Sequence, residues 1–234
     1  MQPRTDGVAV RVLRVARTSV VRARAKAYVA LQSLLVTAPA VLREQLAGLY
    51  KDRLLQACLK LVEPDIPTTP TDAITISIRS LADRCRELDA EAARLEHHID
   101  TVTASAAPRL RAVYGVGPNT AATLMAALGD NPARIRTEAA FAKLCGVCPV
   151  EASSGKTIRH RLNRGGDRDA NRALHVILVV RLRRHQPTRD YMARRTAQGR
   201  SKNEVMRCLK RYIAREVFHA LQPPPAGAKT LGAT

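Results

Sequence analysis

The sequence has few aromatic residues: they make up 3% of 234 residues, and tryptophan is absent. Its apolar residues are mostly Ala, Leu and Val, a composition that suits helices. Alternating runs of β-branched and aromatic residues, which are typical of strands, are scarce. The composition therefore predicts a mainly α protein, long enough for one large domain or two small domains with a real core.

Long apolar runs and a paired cysteine framework are missing as well. No segment reaches the roughly 18 uncharged apolar residues that a membrane span requires, and the start, MQPRTDGVAVRVLR, lacks the apolar core of a signal peptide. The five cysteines are irregularly spaced and odd in number, unlike a secreted disulfide framework. We therefore expect a cytoplasmic protein with no membrane partner.

Cys145 and Cys148 form a C-x-x-C motif, but no second pair of this kind follows. His160 or His175 could complete a zinc site in principle. A tetrahedral site requires four ligands at suitable spacing, however. We therefore predict no metal site in this chain and expect buried thiols beside a helix end.

Acidic residues are too few to balance the basic ones, and the formal net charge is +19. The excess lies in two blocks: residues 1–60 have 11 Lys or Arg against 3 acids, and residues 156–215 have 18 against 4. The second block is too dense for an ordinary solvated face, and this predicts a polyanion as partner. A membrane surface is disfavoured because the block has no large aromatic or Leu-rich insertion face.

The N-terminal half reads as a series of helices. We predict a basic helix from Val8 to about Val36, a short helix that starts at Pro39, and another that Asp52 caps and that reaches about Val62. After a linker, PDIPTTPTD, a helix from about Thr71 to Ala104 carries a heptad seam. The seam residues are Ile74, Ile78, Leu81, Cys85, Leu88, Ala92, Leu95, Ile99 and Val102.

A heptad seam needs a partner, and two are available. The first basic helix could fold back on it, or a second chain could supply the partner helix. We favour both together: an intramolecular helical hairpin that also dimerises.

The segment LRAVYGVGPNTAATLMAALGD suggests a helix-hairpin-helix. Gly115 and Gly117 would permit a tight turn and leave N–H groups at the start of the second helix free for a phosphate oxygen. An ordinary pair of helices joined by a turn explains the same pattern equally well.

The rest of the chain is predicted to form a compact helical domain. A helix over Thr137–Cys145 ends at Gly146, TIRHRL forms a short hairpin strand, and a helix spans Arg168–Arg184. Ser201 and Glu204 form a capping box for a last helix that reaches about Leu221. The predicted parts are a basic helical segment (1–62), a linker with a coiled-coil helix (63–107), a compact C-terminal domain with the helix-hairpin-helix (108–222) and a disordered tail (223–234).

The stretch PVEASSGKTIRHRLNRGGD, which begins at Pro149, has three possible roles. A nucleotide-binding loop is disfavoured because its first glycine would fall at Val150 and because the strand–loop–helix context is missing. A basic turn remains open. So does a serine nucleophile, since Ser154 is followed by Gly155 and by four cations that suit a phosphodiester: Lys156, Arg159, Arg161 and Arg164.

From Leu110 onward the sequence resembles the C-terminal domain of insertion-sequence transposases of the IS110/IS116/IS902 group. The matching motifs are VYGVGPNTAATLMAALGDNP, EAAFAKLCGVCPVEASSGKTIRHRLNRGGDRDANRALH and TRDYMARRTAQGRSKNEVMRCLKRYIAREVF. Residues 7–61 are similar to the helical segment that connects the two domains of that family.

The resemblance implies a DNA transposase or recombinase. The family's S-G motif falls on Ser154 and Gly155, which implies a phosphoserine–DNA intermediate with Ser154 as nucleophile. It further implies DNA and a structured guide RNA as partners, a location at the nucleoid, and dimerisation through the helical segment. On this reading phosphates of nucleic acid are contacted by Gly115, Gly117, Lys156, Arg159, Arg161, Arg164, Arg181, Arg183, Arg184, Arg194, Arg195, Lys210 and Arg211.

One departure from the family is large. The family's N-terminal RNase-H-like domain supplies an Asp-Glu-Asp-Asp set for Mg²⁺, whereas residues 1–60 contain only Asp6, Glu44 and Asp52. We therefore expect a truncated, degenerate or split transposase with no cofactor bound by this chain itself. The alternative function is an inactive, dimerising nucleic-acid-binding remnant.

Overall fold

The computed structural model describes residues 6–129, 135–151, 160–161, 163 and 165–222. Helices dominate this part of the chain, and the prediction of a mainly α protein is confirmed. The helices are α1 (Asp6–Thr37), α2 (Ala40–Gln45), α3 (Lys51–Leu59), α4 (Pro70–Ala106), α5 (Pro108–Arg111), α6 (Pro118–Leu128), α7 (Glu138–Leu144), α8 (Arg168–Arg184), α9 (Gln186–Ala197) and α10 (Lys202–Leu221). Two short strands, β1 (Val150–Glu151) and β2 (His160–Arg161), form an antiparallel ribbon.

The chain divides into two compact units. One comprises residues 15–98 and is called the arm unit here, and the other comprises residues 1–14 and 99–234 and is called the C-terminal unit. Both boundaries fall inside long helices, α1 and α4. The domain limits expected at residues 62, 107 and 222 stay predictions.

In the arm unit, α1 folds against α4, so the predicted seam finds a partner within the same chain. Ala27 and Leu31 of α1 share one buried cluster with Ile78, Ala82 and Cys85 of α4. Leu81 and Leu88, also on the seam, are half-buried. The intramolecular helical hairpin expected from the sequence is therefore confirmed.

Two arginines on the inner side of α1 are matched by acids on α4. The guanidinium of Arg24 donates to the Asp89 carboxylate at 3.0 Å, and Arg17 donates to Glu96 at 2.9 Å. The hydrogen bond to Asp89 raises the pKa of Arg24. Two of the arginines of α1 are thus paired with acids inside the hairpin.

Helices α2 and α3 complete the arm unit. Their buried residues join the same cluster: Leu42, Leu54, Leu55 and Cys58. Pro39 is the N-cap of α2, as the sequence predicts. The predicted cap at Asp52 is wrong, because α3 starts after Tyr50 and has no side-chain cap hydrogen bond. Asp52 lies in the first turn instead, where a carboxylate still interacts favourably with the helix dipole.

In the C-terminal unit, α10 packs against α5, α7, α8 and α9, and α8 also packs against α6. The core includes the buried side chains of Phe141, Leu174, Ile177, Ile213 and Val217. Helix α8 has the predicted limits, and the capping box at the start of α10 is present in full. Helix α9 was not predicted from the sequence. No helix in the described part of the chain combines the length and apolarity needed to cross a membrane.

The α1–α4 packing gives the first testable prediction. Leu31 is 0% exposed, whereas Val41, on α2 of the same unit, is 79% exposed. Leu31→Ala should lower the free energy of unfolding by about 2–5 kcal/mol, since it opens a cavity. Val41→Ala should change it by less than about 0.5 kcal/mol. Urea denaturation followed by circular dichroism measures both, and equal effects would contradict the packing.

Candidate nucleic-acid interface

The ribbon brackets the serine segment. Val150 pairs with Arg161, and Glu151 pairs with His160. The strand expected within TIRHRL is therefore present, at His160–Arg161. Ser154 and Gly155 lie outside the described residues, as do the predicted phosphate-binding residues Lys156 and Arg159, and their roles stay predictions. The same is true of Arg164 and of the side chain of Arg161.

Two glycines bring the segment after α7 into backbone contact with the segment before α8. Gly146, which follows α7, has φ +64°, and Gly166, which precedes α8, has φ +98°. A β-carbon on Gly146 would lie 2.7 Å from the Gly165 carbonyl oxygen, and one on Gly166 would lie 2.6 Å from the Leu144 carbonyl oxygen. Neither position has room for a side chain, and both have a backbone conformation that favours glycine.

The same two segments are joined by a backbone hydrogen bond, since the Asp167 N–H donates to the Leu144 carbonyl at 2.7 Å. Asp167 also caps α8 by accepting from the Ala170 N–H at 2.8 Å. We call residues 144–146 and 165–167 the ribbon root. The end of α7, the start of α8 and the two ends of the ribbon converge there.

Two side chains from core helices contact the ribbon root. The Asn171 amide nitrogen donates to the carbonyls of Cys145 at 2.8 Å and Gly146 at 3.2 Å. The Lys210 ammonium donates to the Asn171 amide oxygen at 2.5 Å. Lys210 is half-buried, and burial lowers its pKa. A residue predicted to bind phosphate is thus engaged by an internal amide.

Arg181 and Arg211, which were also predicted to contact phosphate, are held inside the unit. Arg181 is 7% exposed, donates to the Tyr114 carbonyl at 2.9 Å and pairs with Glu216 at 2.8 Å. Arg211 pairs with Glu138 at 2.7 Å. We therefore reassign Arg181 to the core, because its side chain is buried and two of its guanidinium nitrogens, Nε and Nη1, bond to groups within the protein.

The remaining predicted arginines of this surface are accessible. Arg184, at the end of α8, is exposed, as is its neighbour Arg183. On α9, Arg194 is exposed and lies over the Tyr191 ring at 5.4 Å, and the half-exposed Arg195 donates to Gln198 at 2.7 Å. These side chains can meet phosphate oxygens without breaking a buried ion pair.

The two glycines between α5 and α6 differ in what they contribute. Gly115 has φ +86°, and a β-carbon there would lie 3.3 Å from Ile177 of α8, so it permits a close helix contact. Gly117 is the N-cap of α6, has an ordinary φ of −88°, and would have nothing within 4 Å of an added β-carbon. Gly117 leaves the approach to the α6 N-terminus open. The helix-hairpin-helix role of this turn stays a prediction.

Cys145 is buried at the end of α7, and Cys148 is half-buried. Burial, with a smaller contribution from Asp167, raises the pKa of the Cys145 thiol to about 12. Within the described ranges, no group of three or more His, Cys, Asp or Glu side chains could hold a metal ion. The thiol at Cys145 therefore acts as a small core side chain.

The accessible arginines at the end of α8 and on α9 give the C-terminal unit a basic surface. A surface of this kind is suited to binding a polyanion. Comparison with known proteins gives the class: residues 107–193 match the family described as "Transposase IS116/IS110/IS902 family". These residues are similar to the transposase domain of that family.

A curated relative agrees with this assignment. The "Insertion element IS110 uncharacterized 43.6 kDa protein" of Streptomyces coelicolor is 27% identical over 165 residues, which cover 69% of this chain and 40% of that protein. The match therefore spans less than half of the relative's length. The chain is a distant homologue of the IS110 protein.

The contrast between Arg181 and Arg184 can be tested with paired substitutions. Arg181→Met should destabilise the protein by about 2 kcal/mol, because it leaves the Tyr114 carbonyl and Glu216 without their partner. Arg184→Met should leave stability within about 0.5 kcal/mol of the parent. It should weaken binding to duplex DNA about two- to five-fold, as expected for one phosphate contact among several.

Chemical denaturation and fluorescence anisotropy with a labelled duplex measure the two effects. The reassignment of Arg181 is wrong if Arg181→Met weakens DNA binding while stability is unchanged.

Proposed function

We propose that this chain takes part in DNA strand transfer during transposition of an insertion sequence, with Ser154 as the nucleophile. The observation that carries the proposal is that the family match over residues 107–193 includes the S-G dipeptide at Ser154 and Gly155. The β1–β2 ribbon supports it, because the strands fall on either side of this dipeptide.

The proposed reaction is a transesterification. The Ser154 oxygen forms a bond to a DNA phosphorus, the phosphorus–oxygen bond to the neighbouring nucleotide breaks, and that oxygen leaves with a proton as a DNA hydroxyl end. The serine proton passes to a base, and the energy of the phosphodiester is kept in the phosphoserine linkage for rejoining. Charge that develops on the non-bridging oxygens would be met by Lys156, Arg159, Arg161 and Arg164.

The resemblance assigns Mg²⁺ to carboxylates of an RNase-H-like domain. The residues of this chain do not fit that ion. Asp6, Glu44 and Asp52 do not group with other ligands in the described part of the chain, and Asp52 instead lies 3.8 Å from Arg24. We therefore assign no magnesium ligand here and take no step of the reaction through the metal.

We further propose that nucleic acid extends from the serine segment over the exposed arginines of α8 and α9. Phosphates would be contacted by Arg184, Arg194 and Arg195. Gly117 would let the sugar-phosphate backbone of the nucleic acid approach the N-terminus of α6. DNA is one polyanion that this surface would hold, and a structured guide RNA of the element is the second. Such binding would place the protein at the nucleoid in the cytoplasm.

The alternative function is an inactive nucleic-acid-binding protein that dimerises. The specific observation in its favour is that no acidic metal-binding group occurs among the residues that the structure describes. It requires the same basic surface but no competent serine. A covalent adduct distinguishes the two functions.

We also propose that the arm unit forms a homo-oligomer. The inner side of α1 is occupied by α4, whereas Val15, Val29 and Val36 are 67%, 61% and 73% exposed. Their spacing of 14 and 7 residues places them at equivalent positions of a heptad, with the exposed Arg22 at the intervening position. A second copy of this chain could cover the three valines as a coiled coil.

The nucleophile is tested with Ser154→Ala, and Ser153→Ala serves as the matched control. The chain would be incubated with nicked duplex DNA, Mg²⁺ and an RNase-H-like domain supplied as a separate protein. The parent and Ser153→Ala should form a covalent DNA adduct on denaturing gels, and Ser154→Ala should form none. An adduct in Ser154→Ala would refute the assignment, and no adduct with the parent would favour the inactive alternative.

The oligomer is tested with Val29→Glu combined with Val36→Glu. Charges in an apolar contact lack partners, so this variant should sediment as a monomer while the parent sediments as a dimer or larger species. Val41→Glu is the control, since Val41 is 79% exposed but lies on α2. A monomeric parent, or a double variant that sediments like the parent with unchanged helicity, would contradict the proposal.

A further inference from the structure

The side chain of Asn171 joins the two halves of the ribbon root to the helical core. Asn171 closes the first turn of α8, because its N–H donates to the carbonyl of the N-cap residue Asp167 at 3.0 Å. Its amide nitrogen reaches across to the carbonyls of Cys145 and Gly146 at the end of α7. One side chain therefore connects the segment that enters the ribbon with the segment that leaves it.

Lys210 reinforces this connection from α10. It stands beside Leu209, which is 6% exposed, and one turn before Ile213 and Ala214, which are 2% and 0% exposed. The structure shows no ion pair for Lys210 within the described residues, and its ammonium donates to the Asn171 amide oxygen. A cation on the oxygen polarises an amide and makes its N–H groups stronger donors. Lys210 thereby strengthens the bonds from Asn171 to the Cys145 and Gly146 carbonyls.

Gly146 and Gly166 make the contact between the two segments depend on hydrogen bonds. Because Gly146 and Gly166 leave no room for side chains between the two segments, no apolar packing can hold the segments together there. Their register depends on the hydrogen bond from Asp167 to Leu144 and on the two bonds from Asn171. A two-residue ribbon has too few ladder bonds to set its own direction.

We propose that Asn171 and Lys210 are positioning residues, which fix the ribbon root to α8 and α10 and so set the direction in which the ribbon presents its serine segment. The inference rests on the proposed function, because the serine matters only if Ser154 attacks DNA. The roles assigned to both residues are indirect: Asn171 acts through the Cys145 and Gly146 carbonyls, and Lys210 acts through Asn171. The arrangement removes Lys210 from the set of phosphate ligands and gives it a role in the same reaction.

Two substitutions at one position separate donation from packing. Asn171→Asp is nearly isosteric and keeps an oxygen for Lys210, but it replaces the donor with an oxygen that faces two carbonyls. Asn171→Leu removes both functions. Asn203→Asp is the matched control, because Asn203 is exposed in the first turn of α10.

Amide hydrogen exchange measured by NMR reports directly on the root. In both Asn171 variants the Asp167 amide should exchange about 10-fold faster or more, as expected when two hydrogen bonds are lost. The amides of Leu178 and Ile213 in the core helices should exchange at the parent rate. Lys210→Met should accelerate exchange at Asp167 by a smaller factor, and Asn203→Asp should not change it.

The reaction provides the second readout. At saturating nicked DNA, the Asn171 variants should form the covalent adduct about 10- to 100-fold more slowly with unchanged DNA affinity, since a shift of about 1 Å in a reacting group has effects of this size. The proposal is overturned if exchange at Asp167 is unchanged or if the core amides accelerate equally, which would indicate a general loss of stability. An unchanged adduct rate overturns it too.

A failure of the proposed function is distinguishable from a failure of this inference. If the parent forms no adduct while the Asn171 variants still release the Asp167 amide selectively, the serine assignment fails and the anchoring of the root stands. If the parent forms the adduct and the variants match it, the serine assignment stands and the positioning role is refuted.

Discussion

The close approach of Gly146 and Gly166 is the constraint on which the C-terminal unit depends. It brings the end of α7 against the start of α8 at a distance that only backbone atoms can occupy. Helix α8 then packs on α6 and α10, and the β1–β2 ribbon lies between α7 and α8 in the chain. A larger residue at either glycine would separate the segments and disturb both the core and the ribbon.

Some basic residues of the chain are bonded to partners within the protein, and others are accessible at the surface. Arg17, Arg24, Arg181 and Arg211 are paired with acids inside their own units, and Lys210 is held by an amide. These residues are therefore less available to a polyanion than a count of the 39 lysines and arginines suggests. The cations that remain accessible, such as Arg184 and Arg194, lie at the end of α8 and on α9. Nucleic-acid binding would depend mainly on such residues.

Sequence patterns predicted the elements whose signals are local. The limits of α8 and the capping box of α10 follow from neighbouring residues, and the α1–α4 hairpin follows from the heptad seam. Helix α9 escaped prediction because it is polar, and within it only Thr188 is buried. The contacts of Asn171 could not be predicted, since they join residues 25–39 positions apart. The sequence analysis used Gly146 only as the end of a helix, and its close approach to Gly166 became visible only in the structure.

The same limit applies to the arginines. Arg181 and Arg184 are close neighbours in one basic run, yet one is 7% exposed and the other is accessible. Helical periodicity distinguishes the two faces of α8. It does not reveal that the Arg181 guanidinium contacts the Glu216 carboxylate and the Tyr114 carbonyl. Roles of single cations therefore required the tertiary structure.

The most direct test of the central claim is a structure of the chain bound to nicked duplex DNA. The account predicts a backbone phosphate within hydrogen-bond distance of the Ser154 hydroxyl, with Lys156 or Arg159 on its non-bridging oxygens and further phosphates beside Arg184 and Arg194. DNA bound elsewhere on the chain, with the phosphates remote from Ser154, would contradict it.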